Sequence, residues 1–447
     1  MAVSIVRRYD AAVVGAGFAG LSAAVGLARR GARVLVLEAR SRLGGRATAF
    51  ADRETGERVD NGQHVLLGCY TETFAFLREI GALDHVRMAR QLGVSMVDRD
   101  GRLSRLECPM LPAPLNLLAG VMEWSALAWS DRWAVLRMAK PAPPRPDESV
   151  EAWLVRNGQT PRLREMLWDP LALAALNQPP SQAAAPVFGR VLAEMFTSDP
   201  RSAAIGLPTR PLDEMYAGPA RDYVVGHGGV VRTGSPATIV LDGHAVTSVA
   251  SGTDRWDVPA VVCAVPWFGI GAIFEGDTES ISPILERAGA TASSPILTVN
   301  LWFDRPLFDE PFIGLPGRAM QWVFDKRAVF GGSAAHLSLV SSGASPLVDC
   351  TNTDLARMAH DELAVLVDAL PAVRGARLLR ATVVREPRAT FSLAPGQPAR
   401  PATITPVRGL YLAGDWIDTG LPATIESAVR SGHLAAEAEE FVERDGQ

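Results

Sequence analysis

At 447 residues the chain is long enough for two or three folding units with a large buried core. Its 48% hydrophobic against 21% charged residues and its formal net charge of −5 exclude a disordered chain and argue against a nucleic-acid partner. Of 44 basic residues only Lys140 and Lys326 are lysines, a bias read as coding composition, while ten Trp against five Tyr point to large apolar surfaces in a core or around an apolar ligand.

In chain order, Arg7 and Arg8 precede a short apolar run that enters a glycine signature at once, so this run is read as a first strand and not as a signal peptide. YDAAVV (9–14) predicts a buried parallel strand, residues 21–30 an Ala/Leu-rich helix, and ARVLVLE a second strand ending at Glu38, together one βαβ unit. Residues 106–220 predict a helical insertion carrying Trp124, Trp129, Trp133, Trp153 and Trp168, broken by PAPPRP at 141–146. VTSVA and VPAVVCAVP predict strands returning to the first domain, and alternation in ILTVNLWF, MQWVFD and AHLSLV predicts an antiparallel sheet with a helix over 353–370 beside it. GLYLAGDW followed by IESAVRSGHLAAEAEEFV reads as strand, turn and long helix.

The expected fold is α/β: a discontinuous Rossmann-like domain over 1–105, 221–270 and 386–447, a helical cap over 106–220, and a mixed-sheet substrate domain over 271–385. Cys69, Cys108, Cys263 and Cys350 match neither a metal spacing nor a disulfide framework, which suggests a reducing, cytoplasmic setting and no metal site. No stretch is long and apolar enough to span a membrane. Residues 110–133, with three Trp and few charges, fit either peripheral contact with the inner face of the cell membrane or a cap folded on its own core.

Gly15, Gly17 and Gly20 form GxGxxG between the first strand and helix, with Phe18 and Ala19 inside the motif, and Glu38 follows Gly15 by 23 residues. The glycines allow a tight turn, close approach of a pyrophosphate, and close helix packing, while the acid accepts hydrogen bonds from ribose hydroxyls. Ala39 and Arg40 continue that edge, and Glu38 disfavours a 2′-phosphate. A dinucleotide follows from this pattern; which one does not.

ARSRLGGRATAF, with Arg42, Gly44, Gly45 and Arg46, resembles the second glycine signature of the flavoprotein amine oxidase and phytoene desaturase superfamily, although the arginines alone would equally suit a solvated loop. GLYLAGDWIDTGLPATIESAVRSG resembles its closing flavin motif. The resemblance implies FAD, with Gly414 and Asp415 near the ribityl-pyrophosphate, Ala423, Thr424 and Ile425 beside the isoalloxazine, Gly62, Gln63 and His64 close by, and Val246 at an adenine contact. Helix N–H groups after Thr424 and Ile425 suit negative charge at a reduced flavin.

RVDNGQHVLLGCYTETFAFLREIGA and WDPLALAALNQPPSQAAAPVFGRVLAEMF are similar to hydroxysqualene dehydroxylases of hopanoid biosynthesis. That likeness implies reductive dehydroxylation of hydroxysqualene to squalene, with an unidentified electron donor. The alternative is a carotenoid-type desaturase or isomerase, which shares the flavin signatures and the need for a long apolar tunnel; an amine oxidase and a non-catalytic flavin scaffold fit less well. Losing hydroxide from carbon calls for an acid. His64 is the candidate donor with Asp60 orienting it, set against a packing or flavin-contact role for His64; Asp169 is the second candidate acid, set against a helix N-cap in Asp169-Pro170.

Overall fold

The computed structural model describes residues 9–332 and 334–438. Arg7, Arg8 and the last residues of the expected closing helix therefore lie outside the described residues. Strands Val230–Arg232, Val34–Leu37, Ala11–Val14, Val261–Cys263 and Leu410–Leu412 form, in that spatial order, a five-stranded parallel sheet. AAVV, VLVL and VVC are apolar at every position because both faces of this sheet are buried. The strands come from three separated stretches of chain, which makes the Rossmann-like unit discontinuous.

Helix Phe18–Arg29 lies against the closing helix Ile425–Ala438. Small residues permit the approach: a Cβ on Gly432 would fall 2.3 Å from the Ala19 carbonyl oxygen, and one on Gly26 would fall 2.9 Å from the Ala436 Cβ. The first turn of the closing helix is anchored by Glu426, which is 2% exposed. Its carboxylate accepts from the backbone N–H of Glu72 and Thr73 and from the Thr73 hydroxyl at 2.7–3.0 Å. It thereby caps helix Thr71–Glu79, whose own N-cap residue, Tyr70, makes no side-chain cap.

A seven-stranded sheet forms the second lobe, in the order Leu378–Phe391, Ser293–Phe303, Ala335–Ser342, Trp322–Asp325, Phe312–Gly314, Gly93–Val97, Leu103–Glu107. Along Ser293–Phe303 the alternation sends Leu297, Val299, Leu301 and Phe303 into a core shared with helix Asn352–Ala364. Thr298, Asn300 and Trp302 occupy the opposite face. Two strands within 93–107, expected in the cofactor domain, belong to this sheet, and Leu378–Phe391 runs unbroken across the expected boundary at 385. Strand Phe274–Asp277, expected in the substrate domain, instead joins a four-stranded sheet with Thr238–Asp242, Val246–Ser251 and Asp254–Trp256. Alternation identifies a strand; its partner is chosen by contacts far away in sequence.

Residues 106–220 contain several helices and the strand Ile205–Pro208, and Leu212, Met215, Tyr216, Ala217 and Ala220 pack into the same core as the first helix. There Tyr216 stacks on Phe18 with ring centroids 3.5 Å apart and donates to the Gly44 carbonyl oxygen at 2.9 Å. Asn177, in left-handed conformation at φ 50, and Gln178 clamp the cap to the two longest strands. The Asn177 amide donates to Ser294 O and Thr390 Oγ1 and accepts from Gly343 N, while Gln178 bonds Ser392 Oγ and Leu393 N. Among the described residues no helix is long and apolar enough to cross a membrane. Replacing Glu426 with Ala orphans the Thr71–Glu79 helix terminus and is expected to cost about 1–3 kcal/mol, read as a lower thermal midpoint with bound flavin still present; an unshifted midpoint would contradict the cap.

Candidate active site

Gly15, at φ +105, turns so tightly that a Cβ would lie 2.8 Å from the Ala264 carbonyl oxygen. A Cβ on Gly20 would overlap the Gly15 carbonyl at 1.9 Å, so only glycine lets the helix start there. Gly17 faces the second glycine signature: a Cβ on Gly45 would come 3.3 Å from Gly17 Cα, so the two loops meet backbone to backbone with no side chain between them. Helix Phe18–Arg29 has no side-chain cap at Gly17, so its first N–H groups are open to an anion. Phe18 and Ala19 contribute backbone only, since the Phe18 ring is buried between Tyr216 and Phe76.

Glu38 stands at the end of its strand, where each carboxylate oxygen accepts one backbone N–H, from Ala16 at 2.8 Å and Arg40 at 2.9 Å. This fixes the carboxylate and leaves lone pairs for hydroxyl donors. Ala39 and Arg40 are exposed beside it. This cradle of opposed glycines, uncapped helix terminus and fixed acid fits an adenine dinucleotide.

Arg46 joins the two flavin-type signatures. Its guanidinium meets the Asp415 carboxylate bidentately at 2.5 and 3.1 Å, donates to the Ala389 carbonyl, and lies 5.3 Å from the Trp267 ring. Gly414, at φ +150, passes close over the Trp416 ring, and its N–H donates to Ser431 Oγ. Thr424 Oγ1 accepts from Ser427 N, the N-cap bond of the closing helix.

The loop at residues 60–64 is organised by a residue that sequence reading set aside. Lys326 Nζ lies 2.7 Å from both Asp60 Oδ2 and Gln63 Oε1 and 4.1 Å from the Phe330 ring centroid. Lys326 and Asp60 side chains are only 4% and 3% exposed, so the ion pair is buried. Asp60 also accepts from Leu212 N at 3.3 Å. The expected Asp60–His64 hydrogen bond is not made; Asp60 holds Lys326. Gln63, expected at the cofactor, is likewise committed, its amide donating to the His64 carbonyl.

His64 Nδ1 lies 2.8 Å from the Gly62 carbonyl oxygen, which can only accept, so this nitrogen carries the proton. Burial outweighs the nearby Asp60 carboxylate and holds the imidazole below its usual pKa. At neutral pH His64 thus presents a lone pair at Nε2 instead of the donated proton expected of it. Beyond it, His336 is buried, stacked on Trp302 at 4.2 Å, and held neutral by burial and by Lys326, with its pKa near 3.

Asp169 is not a helix cap. Residues Pro161–Leu163, a π turn at Arg164–Trp168 and Asp169–Leu176 form one continuous helix, and Asp169 sits in its middle. Burial raises its pKa to about 6, and the charges acting on it are Arg164, Glu151 and Glu165 of the cap, none from the nucleotide cradle. The N–H of Val246 donates to Arg408 O at 3.0 Å, so an adenine contact there cannot use that group. All four cysteines are free thiols, and burial pushes Cys69, Cys108 and Cys263 up to about 12.

Lys326→Met leaves the Asp60 carboxylate buried without its counter-charge and is expected to cost about 3–5 kcal/mol, partly recovered by adding Asp60→Asn; chemical denaturation of both variants checks this. For Asp169 the raised pKa means the folded chain holds a proton that the unfolded chain releases between pH 3.8 and about 6. Stability therefore falls as pH rises through that window, and Asp169→Asn should be about 1–2 kcal/mol more stable than the parent at pH 8 but equal to it near pH 3, after discounting for partial exposure. Unchanged turnover in that variant would separate this burial penalty from catalysis.

Comparison with known proteins agrees with this geometry. The profile of the flavin containing amine oxidoreductases matches residues 18–438. A hydroxysqualene dehydroxylase of Rhodopseudomonas palustris is 29% identical over 438 residues, covering 95% of this chain and 97% of its own. A 15-cis-phytoene desaturase of Glycine max is 26% identical over 449 residues, covering 95% and 78%. Among solved structures, an oxidoreductase from Methanosarcina mazei superposes with a TM-score of 0.73 at 18% identity over 96% of this chain and 100% of that one. Cyclohexylamine oxidase from Brevibacterium oxydans gives 0.68 at 16% identity over 96% and 98%. The chain belongs to the flavin containing amine oxidoreductase family and is an FAD-dependent oxidoreductase acting on a small organic substrate.

Proposed function

We propose that this enzyme binds FAD in the Gly15–Glu38, Gly44–Arg46 and Gly414–Ile425 cradle and removes the hydroxyl of hydroxysqualene reductively to give squalene. The observation that carries the reading is an apolar cluster directly beside the His64 loop: Val65, Ile205, Leu207, Phe312, Trp322, Phe324 and Val340 pack together on the cofactor side of the seven-stranded sheet. Each buried CH₂ contributes about 0.8 kcal/mol, so a C30 chain is held by such a surface without charged contacts. The near end-to-end match with the Rhodopseudomonas palustris dehydroxylase supports the same choice.

The chemistry that bound, reduced FAD supplies is hydride donation: alcohol, hydride and one proton give hydrocarbon and water, and an external electron donor restores the flavin. The chain's own task is to exclude water around the carbon and hold the departing oxygen. The desaturase reading uses the same apolar surface and predicts a different product.

We also infer that the cap meets an anionic lipid surface. Trp124 is buried and donates to Ser104 Oγ, but Trp129 and Trp133 are 62% and 58% exposed. Met110, Leu111, Leu115 and Leu136 are exposed with them, interleaved with Arg132, Arg137 and Lys140. Such a mixture of aromatic, aliphatic and basic side chains suits the interfacial layer of a bilayer, where a water-insoluble substrate resides.

Incubating the FAD-loaded enzyme with hydroxysqualene and dithionite is expected to yield squalene, read as loss of oxygen in the product mass; conjugated polyenes from phytoene, with no squalene, would establish the desaturase reading instead. In flotation with vesicles containing phosphatidylglycerol, the parent should rise with the lipid and a Trp129→Ala/Trp133→Ala variant should remain at the bottom. Equal flotation of the two would remove the lipid assignment.

A further inference from the structure

We propose that Thr298, Asn300 and Trp322 form the subsite that holds the oxygen of a mono-hydroxylated polyprenyl substrate. This rests on the dehydroxylase reading and names the groups it requires. His64 is neutral, with its one N–H already given to Gly62 O, so it does not offer a resting hydrogen bond to a leaving oxygen. Lys326 is occupied by Asp60, Gln63 and the Phe330 ring. Donors must come from elsewhere.

Three buried polar atoms lack partners on one face of the seven-stranded sheet: Thr298 Oγ1, Asn300 Nδ2 and Trp322 Nε1. Thr298 and Asn300 are each 1% exposed. Asn300 Oδ1 is bonded to His336 Nε2 at 2.9 Å, and whichever way the amide is turned one end of it stays unpaired. Burying such groups unsatisfied is unfavourable, so three on one face point to a ligand that satisfies them.

Register places them together. Val340 pairs with Thr298 on one side and with Trp322 on the other, so the three share one cross-strand row and one face. Asn300 follows Thr298 by two residues, on that same face. A Cβ on Gly62 would lie 4.0 Å from Thr298 Oγ1, which sets the row against the His64 loop. The benzo edge of Trp322 rests on Gly314, where a Cβ would come within 3.0 Å of the ring. Val340 and Phe324 border the row with hydrocarbon. The composition is that of a hydroxyl on an apolar chain: a few neutral hydrogen-bonding groups enclosed by aliphatic and aromatic carbon.

The test compares binding of hydroxysqualene with that of squalene, which differs only in lacking the oxygen, to FAD-loaded parent, Thr298→Val and Trp322→Phe by equilibrium dialysis of radiolabelled ligand. The parent is expected to prefer hydroxysqualene at least tenfold, and each variant to lose most of that preference while retaining FAD, thermal midpoint and squalene affinity. A parent that binds both ligands equally, or folded variants that keep the preference, would overturn the subsite. A variant that loses FAD is replaced in the comparison by Asn300→Leu, which removes the amide and is expected to lose most of the preference in the same way; an unchanged preference there also overturns it. A parent that shows the preference yet never converts hydroxysqualene leaves the subsite standing and removes the dehydroxylase reading.

Discussion

The ion pair between Lys326 and Asp60 is the constraint on which the site depends, because it fastens the substrate sheet to the loop that follows the cofactor strands. Neither charge survives burial alone, since an isolated ion in an apolar interior is many kcal/mol worse than in water. Once paired, they determine the course of residues 60–64: Gln63 is drawn onto the same ammonium, Gly62 turns its carbonyl to His64, and the imidazole is left in a single tautomer. A second pair, Arg46 with Asp415, performs the same service between the second glycine signature and the closing flavin motif. Asn61 links the two systems by donating to Arg46 O and to Glu386 on the longest strand. The seam between the lobes is therefore polar but locally charge-balanced, and it runs beside a buried apolar cluster.

What was legible in the sequence was local. GxGxxG, the acid at Glu38, the double glycine and the closing Gly-Asp each express a backbone conformation or a strand end that neighbouring residues determine, and each falls where its spacing placed it. The Thr424 cap is local for the same reason. Lys326 was not legible by any such pattern, because its partners stand 266 and 263 residues away. One signal was present: in a chain that uses Arg at 42 of 44 basic positions, a lysine is kept where a compact ammonium must fit between a carboxylate, an amide and a ring. The planar five-donor fork of arginine would leave buried N–H groups unpaired there.

Other misreadings have equally physical causes. Asp169-Pro170 looks like a helix start because proline is at home in a first turn, yet the preceding π turn rearranges the backbone bonds enough for proline to stand inside a continuous helix. Strand Leu103–Glu107 alternates between exposed and buried positions while Gly93–Val97 is buried almost throughout, and neither pattern carries information about which sheet a strand enters. Of three tryptophans that look alike in sequence, Trp124, at the end of helix Leu115–Glu123, has a buried hydroxyl partner, Ser104, on strand Leu103–Glu107.

The function proposed above asks for a site whose polarity is carried by neutral groups. A charged acid facing the substrate would have to be desolvated when the chain enters and would need a counter-ion of its own. Neutral donors avoid most of that cost, and in a region without water each hydrogen bond to an oxygen acquiring negative charge is stronger than it would be in solvent. The nearby cations are paired before any ligand arrives, Lys326 by Asp60 and Arg46 by Asp415. The field of each pair on the site is then largely that of a dipole: burial keeps His64 unprotonated against the Asp60 carboxylate, and burial with Lys326 does the same for His336. On the proposed reading, the neutral donors Thr298 and Trp322 suit an uncharged alcohol better than an ammonium, which has no lone pair to accept from them.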